Sequence, residues 1–374
     1  MDSSLALALA LTAAAAVTLS ALVTVIKVLH RESLRWRGVR VAHYVAAVGE
    51  IVSRRMIPAR APRGWAQDPS FHGVLSDYRL LLTGADRLFV DEFIDSLGLH
   101  QLLIARTRSR FSQTRRLRAL SSLVDLADSR HLDALRLLAG DRNRHVRVNA
   151  VRGLSRLGDV ASTERILDLA AAAQPWEAAR LADALVAMGS PAVEPISNWV
   201  KAESRRQDGS GAVVALAARV LGLIGDPSAG PTLVMLLQSD RAEWRLAAAS
   251  ALEHAGGDEA VAPLLAALED SSWNVRARAA VSVGTMADPA AGTALARLLT
   301  DAAWWVRQNA AGALGVLPGG IEHLMAALDH PDRFAADAAL NQLTVSGALA
   351  EAAHRLENGS GSDHDRLLVG RSAL

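Results

Sequence analysis

From about residue 114 onward, apolar residues recur at helical spacing in blocks that repeat roughly every 31 residues. In one block Val275, Ala279, Val283 and Met286 form a single stripe, and Ala280 beside it is small enough to let a neighbouring helix approach. The stripe ends at Ala287, Asp288 and Pro289. There Asp suits the cap of a following helix, and Pro suits its first turn, where the missing N–H would be unpaired anyway. Asp226 with Pro227 and Ser190 with Pro191 repeat the junction at the same place. A shorter apolar pattern follows, as in AAGTALARLLTD, before an Asp-led turn opens the next long stripe. The pattern therefore predicts pairs of helices, a shorter first and a longer second, with no strand signal between them.

The long stripes share a register. DRNRHVRVNAVRGLSRLGD, DRAEWRLAAASALEHAGGD, DSSWNVRARAAVSVGTMAD and DAAWWVRQNAAGALGV align Arg147, Arg245, Arg276 and Arg307, and the same position falls at Arg116, Ala178, Val214 and Ala336. Successive steps are 31, 31, 36, 31, 31, 31 and 29 residues. Eight units result. A degenerate ninth precedes them, with Arg87, Val90, Ile94, Leu97 and Gly98 standing where Arg116, Ala119, Leu123, Leu126 and Ala127 stand in the next. One helix pair cannot bury its apolar face alone, so this period means stacked pairs, an α-solenoid. Asp lies six residues before Arg in Asp141/Arg147, Asp270/Arg276 and Asp301/Arg307, and five before it in Asp240/Arg245. Stacking would bring such Asp and Arg residues together as a structural ladder, which is the expected role of the arginine row.

The pattern D-x-x-W-x-V-R-x-x-A-A-x-x-L-G followed by D-P-x-A resembles the short bacterial HEAT repeats known as PBS-lyase HEAT-like repeats. The likeness covers about residues 114–346 and is strongest over 240–318. It implies a superhelix of antiparallel helix pairs with a binding or scaffolding role, and it names no partner. It also implies that the second helices line a concave face and that Trp at the turn is a packing residue.

Residues 1–29 add a different element. Ser3 to Ile26 carries no charge, and roughly 36 Å of helix from Leu5 to Val28 would span a bilayer's hydrocarbon core. A secretory signal needs positive charge before a short apolar stretch, whereas here only Asp2 precedes and the run is long. The positive charge follows instead, at Lys27, Arg31, Arg35, Arg37 and Arg40. By the positive-inside rule the expectation is a single-pass inner-membrane anchor with the amino terminus outside and the repeats in the cytoplasm.

Charge is uneven. Residues 27–63 carry nine Lys or Arg against two acids, so the rest of the chain is net acidic although the total is +1. Bulk charge thus argues against a nucleic-acid binder. There is no cysteine, hence no disulfide or thiolate metal site. Residues 41–57 read as an amphipathic helix, and Pro58, Pro62, Gly64 and Pro69 as a linker. A second basic cluster holds Arg106, Arg108, Arg110, Arg115, Arg116 and Arg118, with no acid between Asp95 and Asp125. Beside an anchor, Lys27, Arg31, Arg35, Arg37, Arg40, Arg106, Arg108 and Arg110 are candidates to face anionic lipid, at about 1 kcal/mol each. The alternative for each is a solvated helix surface.

Two surfaces are candidates for a protein partner. Positions two and five after the arginine register should face the concave side, which nominates Asn149, Arg152, Arg180, Arg219, Arg278, Asn309 and Asn341, able to bond an extended peptide or acidic side chains. The turn into successive second helices collects Trp244, Trp273, Trp304 and Trp305, with Trp176 and Phe334 close to the same register. Trp304 and Trp305 are adjacent and cannot both face inward, so one of them is expected as an exposed contact. The polar insertion KAESRRQDGSGA, residues 201–212, lies at the same edge and is either a binding-side loop or a neutral one.

No P-loop, G-x-S-x-G, H-E-x-x-H or dinucleotide glycine pattern occurs, so no cofactor is expected. Glu351 with His354 matches half of a di-metal motif and reads more simply as a surface pair, and His364 between Asp363 and Asp365 reads as solvent-facing chain. The expectation is therefore an all-α chain: an anchor over 1–29, a basic juxtamembrane helix and linker over 30–70, capping helices over 71–113, HEAT-like repeats over 114–346, about eight to nine helix pairs in all with the degenerate unit, and a capping helix with a flexible tail over 347–374. Its expected function is a non-catalytic scaffold or adaptor for a membrane-associated protein, for example an integral-membrane polysaccharide glycosyltransferase. The enzyme alternative, a bilin lyase or isomerase, follows from the family resemblance alone.

Overall fold

A computed structural model describes residues 37–58, 62, 64–109, 112–206 and 211–372. All regular structure among them is helical, and contacts divide the chain after Gly153 into two compact units. The expected anchor, with Lys27, Arg31 and Arg35, lies outside the described residues. Among those described, no helix is long and apolar enough to cross a membrane.

In the first unit, helix α1 covers 37–54, a few residues earlier than the amphipathic pattern suggests. It is followed by α2 (Pro69–Leu81), α3 (Gly84–Ser96), α4 (Leu99–Thr107), α5 (Gln113–Leu126), α6 (Leu132–Ala139) and α7, which begins at Arg144. Asp68 caps α2 by accepting from the Ser70 N–H, with Pro69 in the first turn. Tyr44 on α1 donates to the Asp68 carboxylate at 3.0 Å and meets Trp65 and Phe71 edge-on, which docks α1. The degenerate ninth unit departs from the sequence register. Val90 and Ile94 of α3 are buried as expected, but α2 takes the place beside α5. Arg79 of α2 donates to the Leu126 carbonyl at 2.7 Å and pairs with Asp91 of α3. A polar side chain serving as a brace between helices gives no periodic signal, so the sequence register could not reveal this exchange.

The second unit holds the regular repeats. Its first helices are α8 (Thr163–Ala171), α10 (Val193–Glu203), α12 (Gly230–Leu237), α14 (Val261–Ala267), α16 (Gly292–Leu298) and α18 (Gly320–Ala327). Its second helices are α9 (Pro175–Met188), α11 (Gly211–Ile224), α13 (Ala242–Ala255), α15 (Trp273–Met286), α17 (Trp304–Val316) and α19 (Arg333–Val345). Each second helix lies against the next, and the first helices pack on their flanks, the HEAT-like solenoid arrangement. Asp226 and Asp288 cap the turns that open α12 and α16, with Pro227 and Pro289 beside them. Ser190 instead starts its turn without a side-chain cap. The chain ends in α20 (Ala348–Glu357) and α21 (Asp363–Ser372). The second of these replaces the expected flexible tail, because buried Asp365 accepts from Arg355 at 2.6 Å and from the Ser362 N–H at 2.8 Å.

Neighbouring second helices touch through one recurring pair, position eight of a repeat against position six of the next, counted from the arginine register. A Cβ on Gly222 would lie 2.6 Å from the Ala251 Cα, and one on Gly284 would lie 2.6 Å from the Ala313 Cβ. The Ser282 hydroxyl, at position six, reaches Glu253, at position eight, and donates to the Ala249 carbonyl at 2.9 Å. Close approach at these points is why small residues crowd the stripe. Eleven residues past the register, Gly158, Gly189, Gly225 and Gly347 follow their helices at positive φ, whereas Ala287 does so as a non-glycine, at φ 54°.

The arginines join the repeats. Arg245 makes a two-pronged bond to Asp270 of the next repeat at 2.6 and 2.9 Å, and Arg276 does the same to Asp301 at 2.7 and 3.0 Å. In the first unit Arg116 reaches Asp141 at 2.6 Å. Each guanidinium also donates to its own turn, Arg276 to the Asp270 carbonyl and Arg307 to the Asp301 carbonyl, both at 2.7 Å. The acceptor carboxylate in turn caps a backbone N–H, Ser272 for Asp270 and Ala303 for Asp301. The expected ladder is thus present and runs from arginine to the following repeat. The Arg245 and Asp270 side chains are only 13% and 9% exposed, so solvent screens this pair weakly.

Burial alone would raise the Asp270 carboxyl, but hydrogen bonds from Arg245 and the Ser272 N–H outweigh it and hold the group below its ordinary value. Asp301 is held down in the same way by Arg276 and the Ala303 N–H. A carboxyl depressed in the folded state contributes stability that is complete above its unfolded value of about 4 and is lost as pH falls through the folded value. Asp270→Asn with Asp301→Asn is expected to cost about 2–4 kcal/mol at neutral pH, because each leaves an unpaired, largely buried guanidinium. Denaturant unfolding measured against pH should also show a shallower acid loss below about pH 4 in the double variant. Gly222→Ala should destabilise by about 1–3 kcal/mol through overpacking. Ala287→Gly should stabilise by about 1 kcal/mol by relieving the left-handed backbone. Melting temperatures of the two variants check both signs.

Candidate partner-binding surfaces

The start of each second helix separates two neighbouring positions. The residue just before the arginine register points into the core, as Val213, Trp244, Val275, Val306 and Ala335 do in the second unit. A helical step of one or two residues turns a side chain by roughly 100–200°, so the preceding positions leave the core. Trp176, Trp273, Trp304, Trp305 and Phe334 stand there, 41%, 47%, 51%, 57% and 53% exposed. They form a set of aromatic side chains at two adjacent positions of the repeat, Trp176, Trp305 and Phe334 two before the register and Trp273 and Trp304 three before it.

Trp244 is a correction to the sequence reading. It occupies the core position, is 4% exposed, and donates its indole N–H to the Gly211 carbonyl at 2.8 Å under the Arg241 guanidinium. The shortened spacing between Asp240 and Arg245 is the signal that sets this turn apart. Both members of the adjacent pair, Trp304 and Trp305, are half exposed, with ring centres 4.6 Å apart and planes near perpendicular. The Arg307 guanidinium lies 5.1 Å over Phe334, so part of this edge carries a cation beside the π face.

The concave-face candidates divide by what they already bond. In the first unit Asn149 donates to the His145 carbonyl at 2.9 Å, and Arg152 lies 3.7 Å from Asp125. In the second, Asn309 donates to the Ala277 carbonyl at 3.2 Å, Asn341 reaches Gln308 at 3.3 Å, and Arg278 lies 3.7 Å from Glu253. Arg180 and Asp183 make an exposed pair at 3.6 Å, and Arg219 is exposed. Most of these amides and cations tie one helix to itself or to its neighbour. Between α15 and α17, Val281, Thr285, Asn309, Gly312 and Val316 line a groove of about 190 Å³. That is smaller than the roughly 300–1,000 Å³ typical of small-molecule sites. A peptide side chain fits it better.

The basic candidates are scattered. Arg110 lies outside the described residues. Arg37 is exposed, and Arg40 lies 3.5 Å from Asp68. Arg106 lines a cleft with Arg115 and Arg118, whereas Arg108 lines a separate one with Arg116 and Arg142. The sequence cluster is therefore split over different faces. Helical phase explains this, since Arg115 and Arg118 share a face of α5 that Arg116 leaves to reach Asp141. Glu351 lies 3.7 Å from Arg355, and His354 bonds Asn358 at 3.0 Å, so the half-motif is a set of surface contacts. No group of three or more potential metal ligands occurs among the described residues. Part of the 201–212 insertion lies outside them.

A family described as HEAT repeats matches residues 201–270 and 261–344. No curated protein matches the chain. An engineered protein of solved structure is 18% identical, covering 83% of this chain and 97% of its own, with a TM-score of 0.38. Human deoxyhypusine hydroxylase in complex with glycerol is 21% identical, covering 68% of this chain and 99% of its own, at 0.29. Importin beta is 13% identical, covering 88% of this chain and 53% of its own, at 0.46. Likenesses this low carry nothing about function.

Substitution separates packing from display. Trp244→Ala should cost about 3–5 kcal/mol, as for a large aromatic removed from a core. Trp304→Ala and Trp305→Ala should each cost under about 1 kcal/mol, as for surface residues. Equilibrium unfolding of the three variants checks the contrast.

Proposed function

We propose that this chain is a non-catalytic, membrane-anchored HEAT-repeat scaffold that docks a membrane-associated protein along its aromatic turn edge. The observation that carries the reading is the set of half-exposed Trp176, Trp273, Trp304, Trp305 and Phe334 at two adjacent positions in the turn that opens their second helices. Aromatic residues are enriched among binding hot spots because they bury large areas at small entropic cost. Arg116, Arg245 and Arg276, by contrast, are engaged in joints between repeats.

The anchor rests on the sequence. The uncharged run from Ser3 to Ile26, followed by Lys27, Arg31, Arg35, Arg37 and Arg40, supports an inner-membrane helix with the repeats on the cytoplasmic side. Tethering raises the effective concentration of the aromatic edge for a partner in the same membrane without any new contact. An integral-membrane enzyme is one partner of that kind.

A photo-crosslinking side chain placed at Trp305 in cells, with the same group at Arg297 on the exposed face of α16 as a control, tests this reading. Adducts with one membrane protein from position 305, absent from 297 and lost when residues 1–29 are deleted, are the expected result. Equal labelling from both positions would overturn the edge as the docking surface. A reporter fused after Leu374 should be active in the cytoplasm, and periplasmic activity would overturn the topology.

A further inference from the structure

Between α2, α4 and α5 the first unit holds a pocket of about 470 Å³ whose lining includes Arg106, Arg115, Arg118, His72, Ser122 and Gln67. Arg106 comes from the last turn of α4, while Arg115 and Arg118 are one turn apart on α5, with Ser122 a further turn along the same face. His72 is buried, and its ring bridges the Ser122 hydroxyl at 2.9 Å and the Ala66 carbonyl at 3.2 Å. The carbonyl can only accept, so Nε2 carries the proton and Nδ1 accepts from Ser122. Burial pushes the His72 imidazole below its ordinary value, and the nearby Arg106 charge adds to this. The floor is therefore neutral at physiological pH, and the charge belongs to the three arginines.

Arginines elsewhere in this unit that brace the fold have carboxylate partners: Arg79 with Asp91, Arg116 with Asp141 and Arg130 with Asp95. Arg106, Arg115 and Arg118 have none within 4 Å among the described residues, and no acid lines the pocket. Three like charges gathered round one cavity repel each other unless an anion is present. A carboxylate offers two oxygens and is satisfied by one guanidinium, whereas a phosphate monoester offers three oxygens and about two charges to several. The volume exceeds what one inorganic ion needs and falls within the range for small organic ligands. We propose that this pocket binds an organic phosphate monoester, its phosphate held by Arg106, Arg115 and Arg118 and its organic part lying over Leu103 and Ala119. A soluble metabolite or a phosphatidate headgroup would present the same chemistry. The inference is independent of the docking edge, and its failure leaves that reading intact.

The test is calorimetric titration of the full chain in detergent with glycerol 3-phosphate, phenyl phosphate and inorganic phosphate, alongside flotation with phosphatidylcholine vesicles with and without phosphatidate. Saturable one-to-one binding of a soluble monoester is expected, or selective flotation with phosphatidate that the soluble monoesters compete away. The first outcome assigns a soluble ligand and the second a lipid headgroup. Arg115→Gln with Arg118→Gln should weaken binding at least about tenfold, and Arg106→Gln, from a different helix, should do the same. Arg165→Gln with Arg297→Gln, which removes equal charge from exposed positions elsewhere, should leave binding unchanged. Absence of saturable binding to every probe, an equal loss in that control, or binding of inorganic phosphate in preference to both monoesters would overturn the proposal. Unaltered melting temperatures of the variants keep a loss of fold from being read as a loss of binding.

Discussion

The two-pronged bond from the arginine of one repeat to the aspartate of the next sets the register on which the rest depends. Each such arginine grips two turns at once: its own through a backbone carbonyl, and the following one through a carboxylate that already caps a backbone N–H. Because the bond ties a turn to a turn, it fixes how far one second helix can slide along its neighbour. At that offset position eight of one helix meets position six of the next, and where the backbones come closest, at Gly222 against Ala251 and Gly284 against Ala313, glycine and alanine leave the room. Electrostatics thus sets the offset and close packing restricts the residues allowed at it. Neither would suffice alone, since a repeat has no other neighbours to hold it.

The same register decides what is displayed. Residues just before the arginine enter the core, and those a step earlier leave it, so a shift of one residue turns a tryptophan from a packing element into an exposed one. Trp244 and Trp305 illustrate the two fates, one hydrogen-bonded beneath its neighbours and the other more than half exposed. The solenoid is therefore well suited to hold a row of aromatics at a regular pitch, the quality a docking edge needs. The amides and cations expected to face a concave side mostly contact their own or an adjacent helix. They contribute to rigidity first.

Much of this was legible in the sequence because it is periodic. The helix pairs, the Asp-Pro junctions at residues 226 and 288, and the arginine ladder all repeat, and repetition exposes a shared physical cause. What escaped is what occurs once. The burial of Trp244 follows from a single shortened turn, the place of α2 beside α5 from one buried arginine, and the helical carboxy-terminal segment from one Arg355–Asp365 pair. The basic cluster near residue 110 looked like one patch because its members are close in the chain. Helical phase separates them, sending Arg116 to a brace and Arg115 and Arg118 to a pocket.

The most direct measurement is a double-mutant cycle on the Arg245–Asp270 joint, with Arg245→Met, Asp270→Asn and the pair together compared by denaturant unfolding of the full chain. A favourable coupling of about 1.5–3 kcal/mol is expected for a charge-assisted bidentate bond that sets the repeat offset. A coupling near zero, with the two single costs simply adding, would contradict the joint as the element that sets the register.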